Sequence, residues 1–160
     1  MNKKSIDFFV LGVQKSGTTT LHNWLIQNPQ ICLPKIKETH YFSSNHSKGI
    51  KWYLSQFNDD NRKIKGEVDP SYIYCKDSAM NIKRYIDKPK FIIIFRKPID
   101  RAYSHYLMSK YRGYESDTFI NAIRKASETP ATSPPGIASE NTNPLKTLSI
   151  NNSMANTPPI

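Results

Sequence analysis

Residues 12–19, GVQKSGTT, constrain this chain more than any other segment. They stand between a short apolar run over residues 6–11 and a stretch in which Leu21, Trp24 and Leu25 recur at helical spacing, closed by Asn28-Pro29. A strand entering a tight turn and leaving as a helix is the arrangement this order predicts. Gly12 and Gly17 let the backbone turn and bring successive N–H groups onto one anion, and the helix N-terminus adds partial positive charge. Lys15, Ser16, Thr18 and Thr19 place four donor side chains in five residues. An ordinary glycine turn between strand and helix has no need of such a concentration of donors, so an anion-binding loop is the better reading. The separation of Gly12 and Gly17 fits G-x-x-x-x-G-K-[ST], but Thr18 occupies the lysine position and the lysine lies inside the loop as Lys15. The triphosphate grip and its magnesium arrangement are therefore not expected, which argues against simple ATPase chemistry.

Beyond the loop, strands and helices alternate. Strands are expected over residues 6–11, 30–33, 63–68 and 90–95, and helices over 18–27, 49–57, 78–86, 98–111 and 117–125, with Ser78 offered as a cap for the third. KFIIIF, residues 90–95, reads as a β-branched strand buried on both faces, and Pro98 suits the first position of the helix that follows. This order predicts an α/β fold, a P-loop-like parallel sheet flanked by helices. Ligands of such sheets bind beyond the carboxyl ends of the strands, where strand order reverses. Arg96 leaves the end of KFIIIF and Ser104 follows about two helical turns on, an arginine fork and a hydroxyl suited to a phosphate dianion. Read alone, Arg96 could also simply cap or pair within the fold.

Composition changes sharply along the chain. All 18 aromatic residues lie at or before Phe119, whereas six of the eleven prolines lie between Glu128 and Ile160, where the only charges are Glu128, Glu140 and Lys146. A segment so poor in apolar residues cannot offset its ordering entropy. The expected folding unit is residues 5–126, and 127–160 is expected to be a disordered low-complexity tail. Residues 1–127 carry a formal charge of +11, which implies an anionic ligand. Cys32 and Cys75 match neither a metal-ligand spacing nor a disulfide framework. The chain has no apolar run of membrane-spanning length, and MNKKSIDFF lacks the apolar core of a signal peptide. A reduced, cytoplasmic setting is the expectation, with no membrane span and no metal.

The segment G-x-x-K-[SG]-G-T-[TRS] after an apolar strand resembles the 5′-phosphosulfate loop of sulfotransferases that use PAPS (3′-phosphoadenosine-5′-phosphosulfate). The nearest likeness is to the heparan sulfate (glycosaminoglycan) branch and its bacterial relatives. The resemblance implies that Lys15 contacts the phosphosulfate and helps neutralise the leaving phosphate, while Ser16, Gly17, Thr18 and Thr19 wrap the 5′-phosphate. FRKPIDRAYSHY is similar to the family's 3′-phosphate motif, with Arg96 and Ser104 on the ligand positions. KIKETHYF resembles the segment whose glutamate is the base, which falls on Glu38, flanked by Lys35 and Lys37; His40 is the rival base. WYLSQ and GEVDPSY extend the likeness, although Val68 stands where many members have a catalytic lysine. The resemblance covers Asp7 to about Ala126 and implies a truncated sulfotransferase fold with apolar surface left exposed. The reading that follows is sulfuryl transfer from PAPS to an acceptor hydroxyl or amine, the acceptor being of carbohydrate type, with no nucleic-acid partner and no metal. The alternatives are an inactive PAPS-binding fragment, a P-loop nucleotide kinase, or a basic module for polyanions.

Overall fold

The strand that enters the glycine loop lies at the heart of the fold. In β1 (Phe8–Val10) every residue is buried, and β-strand alternation sends Phe8 and Val10 to one side of the sheet and Phe9 to the other. The computed structural model describes residues 6–58 and 64–128. The chain divides into two compact units, Met1–Phe95 and Arg96–Ile160.

The first unit is a parallel sheet in the order β2-β3-β1-β4, formed by β1, β2 (Ile31–Cys32), β3 (Ile64–Val68) and β4 (Lys90–Ile92). After β1 the chain moves out to β2 and β3 on one side, then returns to place β4 on the other. The strand order thus reverses at β1, the strand from which the glycine loop departs, which is where an open α/β sheet binds ligands. Helix α1 (Thr18–Ile26) covers one face through Leu21 and Leu25, packed on a core of Phe8, Val10 and Val68. The other face is aromatic: Phe9, Tyr41, Phe42, Tyr53, Phe57 and Tyr72 form one core with Ile82 and Ile86. It is roofed by α2 (Gly49–Ser55) and α3 (Ser78–Tyr85). Rings meet there edge-on or stacked, as in the Tyr41–Tyr53 pair at 4.8 Å and the Phe9–Phe42 pair at 5.6 Å.

The second unit contains α4 (Pro98–Tyr111) and α5 (Phe119–Glu128). They pack through Tyr106, Phe119, Ala122 and Ala126, and Tyr106 donates its hydroxyl to the Asp117 carbonyl at 3.0 Å. Pro98 occupies the first turn of α4, as expected.

Four expectations need correction. KFIIIF is not buried on both faces: β4 is the sheet's outer strand, only residues 90–92 are regular strand, and Phe91, Ile92, Ile93 and Phe95 are all substantially exposed. Trp24, at helical spacing with Leu21 and Leu25, is 68% exposed, because the buried line of α1 runs through Thr18 and His22. Ser78 does not cap α3; it is the first helical residue, buried, and its hydroxyl donates to the Phe42 carbonyl. Ser127 and Glu128, assigned by composition to the tail, belong to α5. The remainder of the expected tail, 129–160, lies outside the described residues. Exposed apolar surface is present as anticipated, along β4 and on the Ile99, Tyr103, Leu107 and Tyr111 line of α4.

Gly66 sits opposite Phe8 in the β1–β3 register, and a Cβ there would fall 2.1 Å from the Phe8 ring. Gly66→Ala is therefore expected to destabilise the chain by roughly 1–3 kcal/mol through overpacking. Chemical denaturation of the two proteins checks this; equal midpoints would show that the ring can move aside at no cost.

Candidate functional site

The glycine loop is tied down from the side of β4. Leu11 and Val13 donate their N–H groups to the carbonyls of Ile92 and Ile94 at 3.0 and 2.9 Å, and Ile94 donates to the Gly12 carbonyl at 2.7 Å. Gly12 and Gly17 adopt φ of 126° and 95°, and at Gly12 a side chain would also crowd the Pro70 backbone. Between them Lys15 adopts φ of 68°, a left-handed conformation that non-glycine residues rarely take. Helix α1 starts immediately after, with Gly17 as its N-cap, no side-chain cap and no acidic residue in its first turn. The first N–H groups of any helix have no intrahelical acceptor. Beside them the Ser16 hydroxyl oxygen is buried without a hydrogen-bond partner. An uncapped helix start and an unsatisfied buried hydroxyl are what a phosphate group would satisfy, and Lys15 adds positive charge to the same loop. Thr18 is buried and Thr19 exposed.

Glu38 and His40 lie in the loop after β2, and both are left-handed, with φ of 58° and 53°. Among the described residues only four non-glycine positions have positive φ, the fourth being Lys88; three of the four are the residues singled out for chemistry. Such backbone persists only where its surroundings over-determine it, and here two buried carboxylates do so. Glu67 and Asp69 are fully buried and are two residues apart at the end of β3, so they project to the same side. Glu67 accepts from the Thr39 N–H at 3.1 Å, the Thr39 hydroxyl at 2.5 Å, the Tyr53 hydroxyl at 2.9 Å and the Tyr72 hydroxyl at 3.1 Å. Asp69 accepts from the His40 N–H at 2.8 Å and lies 2.9 Å from His40 Nδ1. Asn45 closes the loop from behind, its side-chain amide donating to the Thr39 carbonyl and its N–H to the His40 carbonyl, each at 2.8 Å.

Glu38 forms an ion pair with Lys37, both side chains being about 30% exposed. His22, buried on α1 with Nδ1 lacking a partner, feels both: its pKa is lowered by burial first and by Lys37 next, with Glu38 opposing. Helix α1 thus links the two groups of residues, beginning at the glycine loop with Thr18 and carrying His22 one turn later to the neighbourhood of Lys37 and Glu38. The pKa of His40 is raised, chiefly by its hydrogen bond to Asp69 against the opposing effect of burial, with further help from the charges of Glu38 and Glu67. Val68 lies between the two carboxylates but projects to the opposite, apolar core and is 1% exposed. It contributes neither charge nor a donor.

Arg96 and Ser104 belong to the second unit. Arg96 is exposed, just ahead of the Lys97 N-cap of α4, and Ser104 is half-buried on that helix. Among the described residues no cluster of His, Cys, Asp and Glu could hold a metal ion, and no helix is long and apolar enough to cross a membrane. Glu67, Asp69 and His22 were not singled out from sequence. Their partners in the loop after β2, Thr39 and His40, lie 28 and 29 residues upstream, and nothing in GEVDP distinguishes buried acids from surface ones.

Burial, followed by the charge of Asp69, raises the Glu67 carboxyl from its ordinary 4.5 to about 7, against the pull of its donors. Between those pH values the unfolded chain has released a proton that the folded chain keeps, so this group lowers stability as pH rises. Glu67→Gln removes that dependence. The variant is expected to gain on the wild type by about 3 kcal/mol between pH 4.5 and pH 8. Denaturant unfolding at several pH values checks this, and parallel pH profiles for the two proteins would contradict it.

Comparison with known proteins accords with this geometry. The family model described as "Sulfotransferase domain" matches residues 5–132. The chain is 36% identical over 107 residues to the membrane-associated sulfotransferase kil1 of Dictyostelium discoideum, covering 64% of this chain and 23% of that protein. It is 34% identical over 108 residues to bifunctional heparan sulfate N-deacetylase/N-sulfotransferase 4 of Mus musculus, covering 62% of this chain and 12% of that one. It is 29% identical over 121 residues to mouse heparan sulfate glucosamine 3-O-sulfotransferase 3B1, covering 70% and 30%. The chain therefore spans less than a third of each of these curated relatives. In fold it is similar to the crystal structure of a sulfotransferase from Alicyclobacillus acidocaldarius, with a TM-score of 0.72 at 24% identity, covering 91% of this chain and 63% of that one. A loop shaped for an anion at the sheet's switch point and a family match over most of the chain lead to one conclusion: the protein belongs to the sulfotransferase domain family.

Proposed function

We propose that this chain carries the donor half of a sulfotransferase site and that PAPS is the donor. The observation that carries the reading is the loop of residues 12–19, where left-handed Lys15, the buried unpartnered hydroxyl of Ser16 and an uncapped, acid-free helix start converge. Bound PAPS would supply an activated sulfuryl group. Lys15, Ser16, Gly17, Thr18 and Thr19 would hold its 5′-phosphosulfate, Lys15 neutralising charge on the leaving phosphate as the S–O bond breaks. Arg96 and Ser104 would hold the 3′-phosphate.

Glu38 would accept the proton that the acceptor hydroxyl or amine loses as it attacks. Its left-handed backbone is fixed by its neighbours rather than by its own side chain, and its carboxylate, paired with Lys37, is partly exposed toward an acceptor. His40, tied to a buried acid, suits an orienting or donor role better than that of base. The acceptor we favour is a carbohydrate hydroxyl or amine, the class named for the heparan sulfate relatives. A nucleotide kinase is the weaker reading, since Thr18 cannot replace the lysine that grips a triphosphate.

Titration calorimetry with PAP, the desulfated product of the donor, tests the site. Lys15→Ala and Arg96→Ala are each expected to weaken binding at least about tenfold, the scale of one charge-assisted contact. Unchanged affinity in both, or a preference for ATP–Mg over PAP, would overturn the assignment. In sulfotransfer assays Glu38→Gln is expected to spare PAP affinity and abolish turnover, whereas surviving turnover would move the base elsewhere.

A further inference from the structure

The surroundings of Asp69 determine a proton. Its Oδ1 accepts the Ser71 N–H at 3.0 Å and the Ser71 hydroxyl at 2.6 Å. Its Oδ2 accepts the His40 N–H at 2.8 Å and lies 2.9 Å from His40 Nδ1. The Ser71 oxygen is also 3.0 Å from that Nδ1. Because the Ser71 hydroxyl has already given its hydrogen to Asp69, its oxygen can only accept from the ring, and a carboxylate oxygen can only accept as well. Both neighbours of Nδ1 are acceptors, so Nδ1 must carry a hydrogen, and Nε2 is the ring nitrogen left to gain or lose one. Asp69 is itself held in place: it is fully buried and its N–H donates to the Val10 carbonyl of β1 at 3.0 Å.

We propose that Asp69 is a positioning residue for His40, locking the imidazole with its hydrogen on Nδ1 and presenting Nε2, on a side chain 38% exposed, as a proton-exchanging atom of the site. The use of that proton rests on the sulfotransferase reading; the tautomer rests on geometry alone. A second hydrogen on Nε2 makes the ring a cationic donor, and the charged groups that act on it, Asp69, Glu38 and Glu67, all favour that form. His40 would then donate to an anionic group near Glu38 while Glu38 accepts from the acceptor. A carboxylate that orients an imidazole in this way fixes which nitrogen does the work.

Nitrogen-15 NMR of the histidine rings tests the proposal without donor or acceptor. The His40→Gln spectrum identifies the His40 signals among those of the four histidines. In the wild type, His40 is expected to show the Nδ1–H tautomer above its titration midpoint, with that midpoint above 6.5. Asp69→Asn should lower the midpoint and mix the tautomers, while Ser71→Ala should keep the tautomer. An Nε2–H tautomer in the wild type, a midpoint at or below 6.5, an unaltered ring in Asp69→Asn or loss of the tautomer in Ser71→Ala would each overturn the role of Asp69. Should Asp69→Asn not fold, the wild-type tautomer and midpoint still decide. Loss of PAP binding as a property of the chain would leave these spectra unaffected, so failure of the two readings can be told apart.

Discussion

Two buried carboxylates at the end of β3 support the rest of the candidate site. Glu67 and Asp69 are fully buried, and removing such groups from water is costly unless donors surround them. Half of the donors come from residues 39 and 40, among them both of their backbone N–H groups, and the rest from Tyr53, Ser71 and Tyr72. The cost of burial is thus met by fixing one particular loop in one particular shape. That shape is unfavourable in itself, with Glu38 and His40 both left-handed, and it persists because releasing it would strand two acids in an aromatic core. Alternation along β3 gives the third residue of the set, Val68, a different fate: it faces the opposite side and packs beneath α1.

The glycine loop depends on a second constraint, the position of β1. With β3 on one side and β4 on the other, β1 delivers its loop at the point where strand order reverses. Parallel pairing aligns the carboxyl ends of β1 and β3, which places the glycine loop and the carboxylate pair at one end of the sheet. Helix α1 then carries the positive end of its dipole at the loop and His22 beside Lys37 and Glu38 one turn further on.

Much of this was legible in the sequence, and the reasons for success and failure differ from element to element. The loop was legible because glycine, lysine and hydroxyl residues at a strand–helix junction have few other uses, and the helices because apolar spacing and Pro98 mark them. KFIIIF shows the limit of pattern: β-branched residues make a strand whether or not a neighbour covers it, so the exposure of β4 could not be read from composition. Trp24 shows another, since periodicity locates an apolar line without saying which neighbour is present to bury it. Glu67 and Asp69 were illegible because what makes them unusual is their burial against residues 28 and 29 positions away. Glu38 and His40 were found through resemblance; the reason for their rigidity appears only in three dimensions.

The proposal that bears most on function is that residues 12–19 grip the 5′ end of a sulfate donor. A crystal structure of the chain with PAP bound tests it most directly. The account predicts the 5′-phosphate seated on Lys15, Ser16 and the first turn of α1. A nucleotide bound with its phosphates away from this loop, or a loop left empty at saturating PAP, would contradict it.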